Sequence, residues 1–360
     1  MTQDTLRILY IAYSLLPLSD ASCGGAEQAL LLVESQMRLR GHATTVAACD
    51  GSRLAADTFL TGIPPTEPDA FAKWDAVHTE RIIVFVRKQQ QSRPFDLIHD
   101  HGGSFWKHAA QVDVPVLATL HLPRSFYPEQ AFASMPLNLE ISCVSQSQAR
   151  SFCDVPQLAG VVRNGIDVDR FPFSDRKSDY LLWLGRICPE KGPHLALDAA
   201  GLAGMPIVLA GEVYPFSYHQ NYFQQEIVPR LQGMQGRAKL VSGISLERKL
   251  ELIRDARAVL IPSLVDETSS LVAMEAMACG TPVVCFRRGA LPEVVAHETT
   301  GFLAESLDEM VEAISEVAGI DPHACRERVE LHFSAARVGD EYEQLYRGLI
   351  APREALASAM

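Results

Sequence analysis

Short apolar, β-rich runs alternate with helix-patterned stretches along nearly the whole chain, and nothing else in the sequence restricts the fold as much. Such a rhythm buries both faces of a sheet when the strands run parallel and helices cover each side. In the first half the runs are Arg7–Ala12, Ala43–Ala48, Leu97–His99, Val116–Leu120 and Ile141–Val144, with helices over Ala26–Arg40 and about Val77–Gln91. In the second half they are Tyr180–Leu184, Ile207–Ala210, Lys239–Val241, Ala258–Ile261 and Val283–Phe286. Between the halves, hydrophobic periodicity pauses over the polar, turn-prone stretch Gly165–Lys177. At 360 residues the chain suits two domains better than one core. We therefore expect two α/β domains with doubly wound parallel sheets, 1–165 and 166–335, followed by a terminal segment, 336–360, that is helical from Ala335 to about Leu349.

Two carboxylates with seven residues between them, Glu267 and Glu275, stand in the run Pro262–Val284. An apolar strand ends at Ile261, a polar loop follows, and a helix is predicted from about Ser270 to Cys279, with Gly280 as its stop. Glu267 then lies in a loop at the carboxyl end of a strand, where open α/β sheets bind ligands. A carboxylate there can accept hydrogen bonds from vicinal hydroxyls, and loop N–H groups at a helix start can face oxygens of a ligand. For the pair alone, a helix-capping Glu267 and a solvated Glu275 carry equal weight.

Three segments in register change that balance. Pro262–Val284 reads Pro-Ser-x-x-x-Glu-x7-Glu-Ala-Met-Ala-x-Gly-Thr-Pro-Val-Val; Leu182–Gly192 holds a strand followed by Gly-Arg-x4-Lys-Gly; and Asn164-Gly-Ile-Asp167 lies between the halves. Together they resemble the retaining glycosyltransferases of family 4. That resemblance covers nearly the whole chain and implies a GT-B fold, two Rossmann-like domains facing a cleft. It implies an acceptor-binding first domain, a nucleotide-sugar-binding second domain, and a terminal helix that crosses back to the first.

Composition agrees with that class. The net charge is −12, and residues 1–165 carry 13 basic and 16 acidic side chains against 19 and 28 in the remainder, so neither half suits nucleic acid. The eight cysteines show no CxxC and no zinc-like spacing, and several lie in apolar runs, so buried reduced thiols are expected. The polar start, Met1 to Thr5, lacks a signal-peptide pattern, and no apolar run is long enough to span a bilayer. A cytoplasmic protein without a transmembrane segment is expected. Arg81, Arg87, Lys88 and Arg93 form a modest basic cluster, either a peripheral membrane contact or a solvated face.

Arg186 and Lys191 follow the first strand of the second half and precede a helix near Pro193. The resemblance gives them the donor diphosphate, where fixed cations stabilise the charge that builds as the glycosidic bond breaks. It gives Glu267 the donor sugar's hydroxyls, with backbone N–H groups of Thr268, Ser269, Ser270 and Leu271 adding contacts, and Glu275 the ribose. Ile244 joins the donor-binding positions. Gly24 and Gly25 match the glycine loop that faces the donor phosphates, and His121, at the end of a first-half strand, matches a histidine that touches the donor sugar. The chain departs from the family at Thr268-Ser269-Ser270, where a glycine-rich loop is usual, so the sugar is less determined than the reaction.

Other features weigh less. No Gly-x-Gly-x-x-Gly follows the first strand, which argues against a nicotinamide dehydrogenase. Asp167-Val-Asp169 has the spacing of metal-dependent transferases but sits inside the interdomain segment of a metal-independent family. His99-Asp100-His101 lacks a third ligand by sequence and reads as cleft-edge residues. The proline-rich loop Thr61–Pro68 and the aromatic stretch Tyr214–Phe223 are candidates for substrate choice, the latter equally for packing.

The expected activity is hexosyl transfer from a nucleotide diphosphate sugar to a hydroxyl acceptor: a sugar, a lipid-linked glycan or a small molecule. No metal or separate cofactor is expected, and uridine is the family's commonest donor base. With Glu275 at ribose and Glu267 at hydroxyls, same-face attack is expected rather than a glycosyl–carboxylate intermediate. A sucrose- or trehalose-type synthase, a phosphorylase, or a non-catalytic nucleotide-sugar-binding protein are the alternatives.

Overall fold

A computed structural model describes residues 5–20, 22 and 24–357, with side chains to 351. It contains two compact units, one comprising the chain before Gly165 together with the helix Ala335–Ala357, the other Gly165–Ser334. No described helix is long and apolar enough to cross a membrane.

The first unit is built on seven strands: β1 (Arg7–Ile11), β2 (Ala43–Ala48), β3 (Asp57–Leu60), β4 (Leu97–Asp100), β5 (Val116–Leu120), β6 (Leu139–Cys143) and β7 (Leu158–Val161). All pair in parallel, in the order β3-β2-β1-β4-β5-β6-β7. The two-residue period of the strands sends alternate side chains to opposite faces. Leu9, Ile98 and Ala118 pack on one side with Ile82 and Val86 of the helix Phe71–Gln90. Ile8, Tyr10, Leu97 and Leu117 pack on the other with Leu30 and Val33 of the helix Gly25–Leu39 and with Tyr342 and Tyr346 of the terminal helix. Arg40 ties that terminal helix down, donating to the Ala336 carbonyl at 2.8 Å and to Asp340 at 2.7 Å.

The second unit has six parallel strands: β8 (Leu181–Leu184), β9 (Ile207–Ala210), β10 (Ala238–Val241), β11 (Ala258–Ile261), β12 (Val283–Phe286) and β13 (Gly301–Ala304), ordered β10-β9-β8-β11-β12-β13. Its helices start where local chemistry favours them. Gly192 takes a left-handed φ of +63° directly before Pro193 at the first helical position, and Ser245, Ser270 and Ser306 accept N-cap hydrogen bonds at three other starts.

Strand order reverses between β1 and β4 in the first unit and between β8 and β11 in the second, so the loops leaving those strands diverge. At such switch points doubly wound sheets bind ligands. Strands β3, β7 and β13 have no counterpart among the runs picked out in the sequence, and each lies at the edge of its sheet.

Candidate functional site

The loops leaving β8 and β11, at the switch point of the second unit, bring Lys191 and Glu267 together. The Lys191 ammonium lies 2.7 and 2.9 Å from the two Glu267 oxygens, and the Ser263 hydroxyl donates to Oε1 at 2.6 Å. The two loops are also fastened by backbone: Leu264 N–H donates to the Glu190 carbonyl at 2.8 Å. A Cβ on Gly192 would fall 2.1 Å from the Pro262 carbonyl oxygen, so only glycine allows this approach. Behind Glu267, Ala290 N–H donates to its carbonyl at 2.7 Å, and Gly289 at φ +55° presses against its backbone.

Glu275 lies just over one turn into the helix Leu271–Ala278 and is buried. Its Oε1 pairs with Lys249 at 2.7 Å, while its Oε2 is buried with no hydrogen-bond partner. An uncompensated carboxylate oxygen is costly to hide, which marks it as an acceptor awaiting a donor. Lys249 comes from the helix Leu246–Asp255, directly after Ile244, which is half-buried against the same core. Ser270 caps the helix start through Ala273 N–H at 3.4 Å, the Ser269 hydroxyl is buried without a partner, and Thr268 and Leu271 are half-buried beside them. Arg186, by contrast, is exposed, with its guanidinium 5.5 Å from the centre of the Tyr214 ring and making no ion pair with Glu267.

In the first unit, Gly24 is the extended N-cap residue of the helix beginning at Gly25. The Glu27 carboxylate folds over that turn, lying where a Gly24 Cβ would stand. His121 begins a chain of contacts running into the core. Its Nε2 is 3.0 Å from His101 Nδ1, and His101 Nε2 is 3.2 Å from His99 Nδ1. His99 Nδ1 lies 2.6 Å from the Tyr346 hydroxyl and its Nε2 2.7 Å from the Thr119 hydroxyl. Burial holds His121 down at about 4 and His99 and His101 well below the ordinary range, so all three rings are neutral at pH 7. Asp100 anchors the adjoining loop, accepting from the N–H groups of Gly102, Gly103 and Trp106 at 2.7, 3.2 and 2.9 Å.

Residues 23–170 match the family profile Glycosyltransferase Family 4, and residues 167–327 match Glycosyl transferases group 1. The two stretches overlap at 167–170 and together take in both units. The chain belongs to the family 4 glycosyltransferases. It is similar to the D-inositol 3-phosphate glycosyltransferase of Mycolicibacterium smegmatis, 33% identical over 178 residues, which is 46% of this chain and 41% of that one. The chain thus spans about two fifths of the length of that curated relative. Among solved structures it resembles sucrose-phosphate synthase from Thermosynechococcus elongatus, with TM-score 0.76 and 20% identity over 96% of this chain and 100% of that one. It also resembles Anabaena HepE in complex with UDP-glucose, with TM-score 0.72 and 18% identity over 98% and 100%. The fold is therefore GT-B.

For this family 4 glycosyltransferase the structure corrects one reading of the sequence and adds to another. His99 is no edge residue: β4 runs one residue further than expected, His99 is paired between Tyr10 and Leu117, and its ring is fully buried. The cysteine spacing also hides a grouping. Cys188, Glu190 and His219 offer ligand atoms within 4.8 Å of one another, because the fold returns the helix Ser217–Tyr222 to the turn after β8. His219 is fully buried, neither ring nitrogen has a hydrogen-bond partner, and an orphaned pair of this kind costs roughly 1–3 kcal/mol per group. Of the described cysteines, only Cys153 is exposed. Lys249 and Gly289 carry no signal in the sequence beyond ordinary helix and loop residues, and Ser263 stands in the Pro-Ser-x-x-x-Glu motif without a role of its own there.

Proposed function

We propose that this glycosyltransferase moves a hexose from a nucleotide diphosphate sugar, a UDP-sugar in the first instance, to a hydroxyl acceptor. Transfer retains anomeric configuration and needs no metal. The observation that carries the reading is the Lys191–Glu267 pair at the β8/β11 switch point, with the half-satisfied Glu275 on the helix that follows.

In this reading Lys191 and Arg186 hold the departing diphosphate as preorganised cations. Glu267, fixed by Lys191, Ser263 and the backbone around Gly289, accepts hydrogen bonds from the sugar's hydroxyls. The free Oε2 of Glu275 takes a ribose hydroxyl, and Ile244, Thr268, Ser269, Ser270 and Leu271 line the donor. Gly24, Gly25 and His121 of the first unit complete the proposed set, and the acceptor is assigned to that unit. The acceptor attacks from the face the diphosphate leaves, giving its proton to the diphosphate as the new bond forms. The complex of HepE with UDP-glucose supports a uridine donor for a protein of the same fold. We place the reaction in the cytoplasm.

The test is a panel of UDP-, GDP- and ADP-hexoses in EDTA, with nucleotide release followed and the product anomer read by NMR. Retention with a UDP-sugar is expected. An inverted product, or a glycosyl adduct trapped on a carboxylate, would contradict the mechanism. Free sugars and sugar phosphates belong among the acceptors. Transfer to them alone would favour the synthase reading, to which the likeness to sucrose-phosphate synthase also points.

A further inference from the structure

The group formed by Cys188, Glu190 and His219 has no part in the reading above, and its chemistry is specific. Cys188 precedes the short 3-10 turn Pro189–Lys191 after β8, Glu190 lies within it, and His219 faces them from the helix Ser217–Tyr222. Their sulfur, carboxylate and imidazole atoms all lie within 4.8 Å of one another. Ligand atoms around a tetrahedral zinc, with bonds of about 2.0–2.3 Å, sit roughly 3.3–3.8 Å apart, so small side-chain rotations would close this set on an ion.

Two features show that the group is unfinished. His219 is fully buried, yet neither of its nitrogens has a hydrogen-bond partner among the described residues, and Glu190 Oε2 is likewise buried and unpartnered. The imidazole is covered by the rings of Tyr214, Phe216 and Tyr218, at 6.1, 5.4 and 4.1 Å between centroids. These faces exclude water but give the nitrogens nothing to bond.

We propose that Cys188, Glu190 and His219 form a three-ligand site for a thiophilic divalent cation, with zinc the best match. Thiolate and imidazole ligands select zinc over magnesium, calcium or manganese, which prefer all-oxygen sets. The thiol gives its proton to solvent on binding, and thiolate and carboxylate together balance the divalent charge. Three protein ligands leave a fourth position for water or an anion. The ion would clamp the turn carrying Arg186 and Lys191 to the aromatic segment Tyr214–Tyr218. Its role is structural, not that of a metal bridging the donor phosphates.

The test uses the whole chain, reduced and stripped with a chelator, titrated with Co2+ as a spectroscopic probe and then with Zn2+, without nucleotide. A thiolate-to-cobalt charge-transfer band with tetrahedral d–d intensity, displaced by zinc, is expected. Cys188→Ser and His219→Gln should each weaken binding by at least the ~100-fold that loss of an outer-shell partner alone can cost. Glu190→Gln, close in shape, keeps the test valid if either of those fails to fold. Zinc should raise the melting temperature of the parent chain and leave that of His219→Gln unchanged. A cobalt spectrum without the thiolate band, or binding equally tight in the folded variants, would overturn the site. Because no nucleotide is present, this result and that of the glycosyltransfer assay can fail independently.

Discussion

The ammonium of Lys191 bridges both carboxylate oxygens of Glu267, at 2.7 and 2.9 Å, across the two loops that diverge at the switch point of the second unit. Each side chain fixes the other. On the proposed reading, replacing Lys191 by Ala removes a cation from the donor diphosphate; it leaves the Glu267 carboxylate held by the Ser263 hydroxyl. Turnover should fall on the order of 100-fold or more, as when a preorganised electrostatic contact to the transition state is lost. Arg186→Ala should also depress turnover strongly. Steady-state kinetics with the preferred donor check both, and near-normal turnover in the two variants would remove the phosphate site from this turn.

The Lys249–Glu275 pair should separate binding from stability. Lys249→Met leaves a buried carboxylate uncompensated and should destabilise the second unit by about 3 kcal/mol. Glu275→Gln keeps the shape and should mainly raise the nucleotide dissociation constant, with a smaller loss of stability. Denaturant titration and calorimetry on the two variants distinguish these effects. Unchanged nucleotide affinity in Glu275→Gln would detach Glu275 from the ribose.

Gly289 is a test of positioning. A Cβ there would stand 2.3 Å from the Glu267 carbonyl oxygen and 2.5 Å from its nitrogen. Gly289→Ala must therefore push the Glu267 backbone aside without touching its carboxylate. A displacement near 1 Å at a reacting group can cost on the order of 100-fold in rate, so kcat should drop while the circular dichroism spectrum stays native. Full activity in a folded Gly289→Ala enzyme would mean that the position of Glu267 does not matter.

Acid should weaken the first unit. His121 has its pKa lowered from 6.5 to about 4, so between those values the unfolded chain holds a proton that the folded chain lacks. Stability then falls as pH drops through that window, by about 1.4 kcal/mol per pH unit for one fully shifted group. His99 and His101 act in the same direction. Asp100 opposes them: burial raises its carboxyl from 3.8 to about 6, so its contribution falls as pH rises between those values. Burial lowers His42 and His78 in the same way, His78 to about 4, and raises Glu140 alongside Asp100. With five histidines against two carboxyls, the urea midpoint of the first unit should be lower at pH 5 than at pH 7.5. A Trp183→Phe background leaves Trp74 and Trp106 as reporters, both in that unit. His121→Asn should flatten the dependence, and equal midpoints in the parent chain would contradict the buried neutral network.

Central strands were legible in the sequence because burial on both faces demands continuous apolar runs, as in Val116–Leu120 and Val283–Phe286. The strands Asp57–Leu60, Leu158–Val161 and Gly301–Ala304 were not: they are edge strands, and the polar or glycine-containing residues they tolerate look like loops. At the candidate site, Glu267, Glu275, Arg186 and Lys191 stand out through motif spacing. Lys249, Gly289 and His219 do not, because each matters only for what the fold places beside it. The sequence also assigned Lys191 and Glu267 to different parts of the donor, with no sign that they would bond to each other.

The most direct test of the account is calorimetric titration of the whole chain with UDP, GDP and ADP in EDTA, repeated with Lys191→Ala. Micromolar binding of one nucleotide, UDP on this account, lost or greatly weakened in the variant, is the predicted result. Binding that appears only when manganese is restored would contradict it. Manganese, a hard ion, suits bridging phosphates and not the Cys188–His219 group, so the metal-independent donor site would then be wrong.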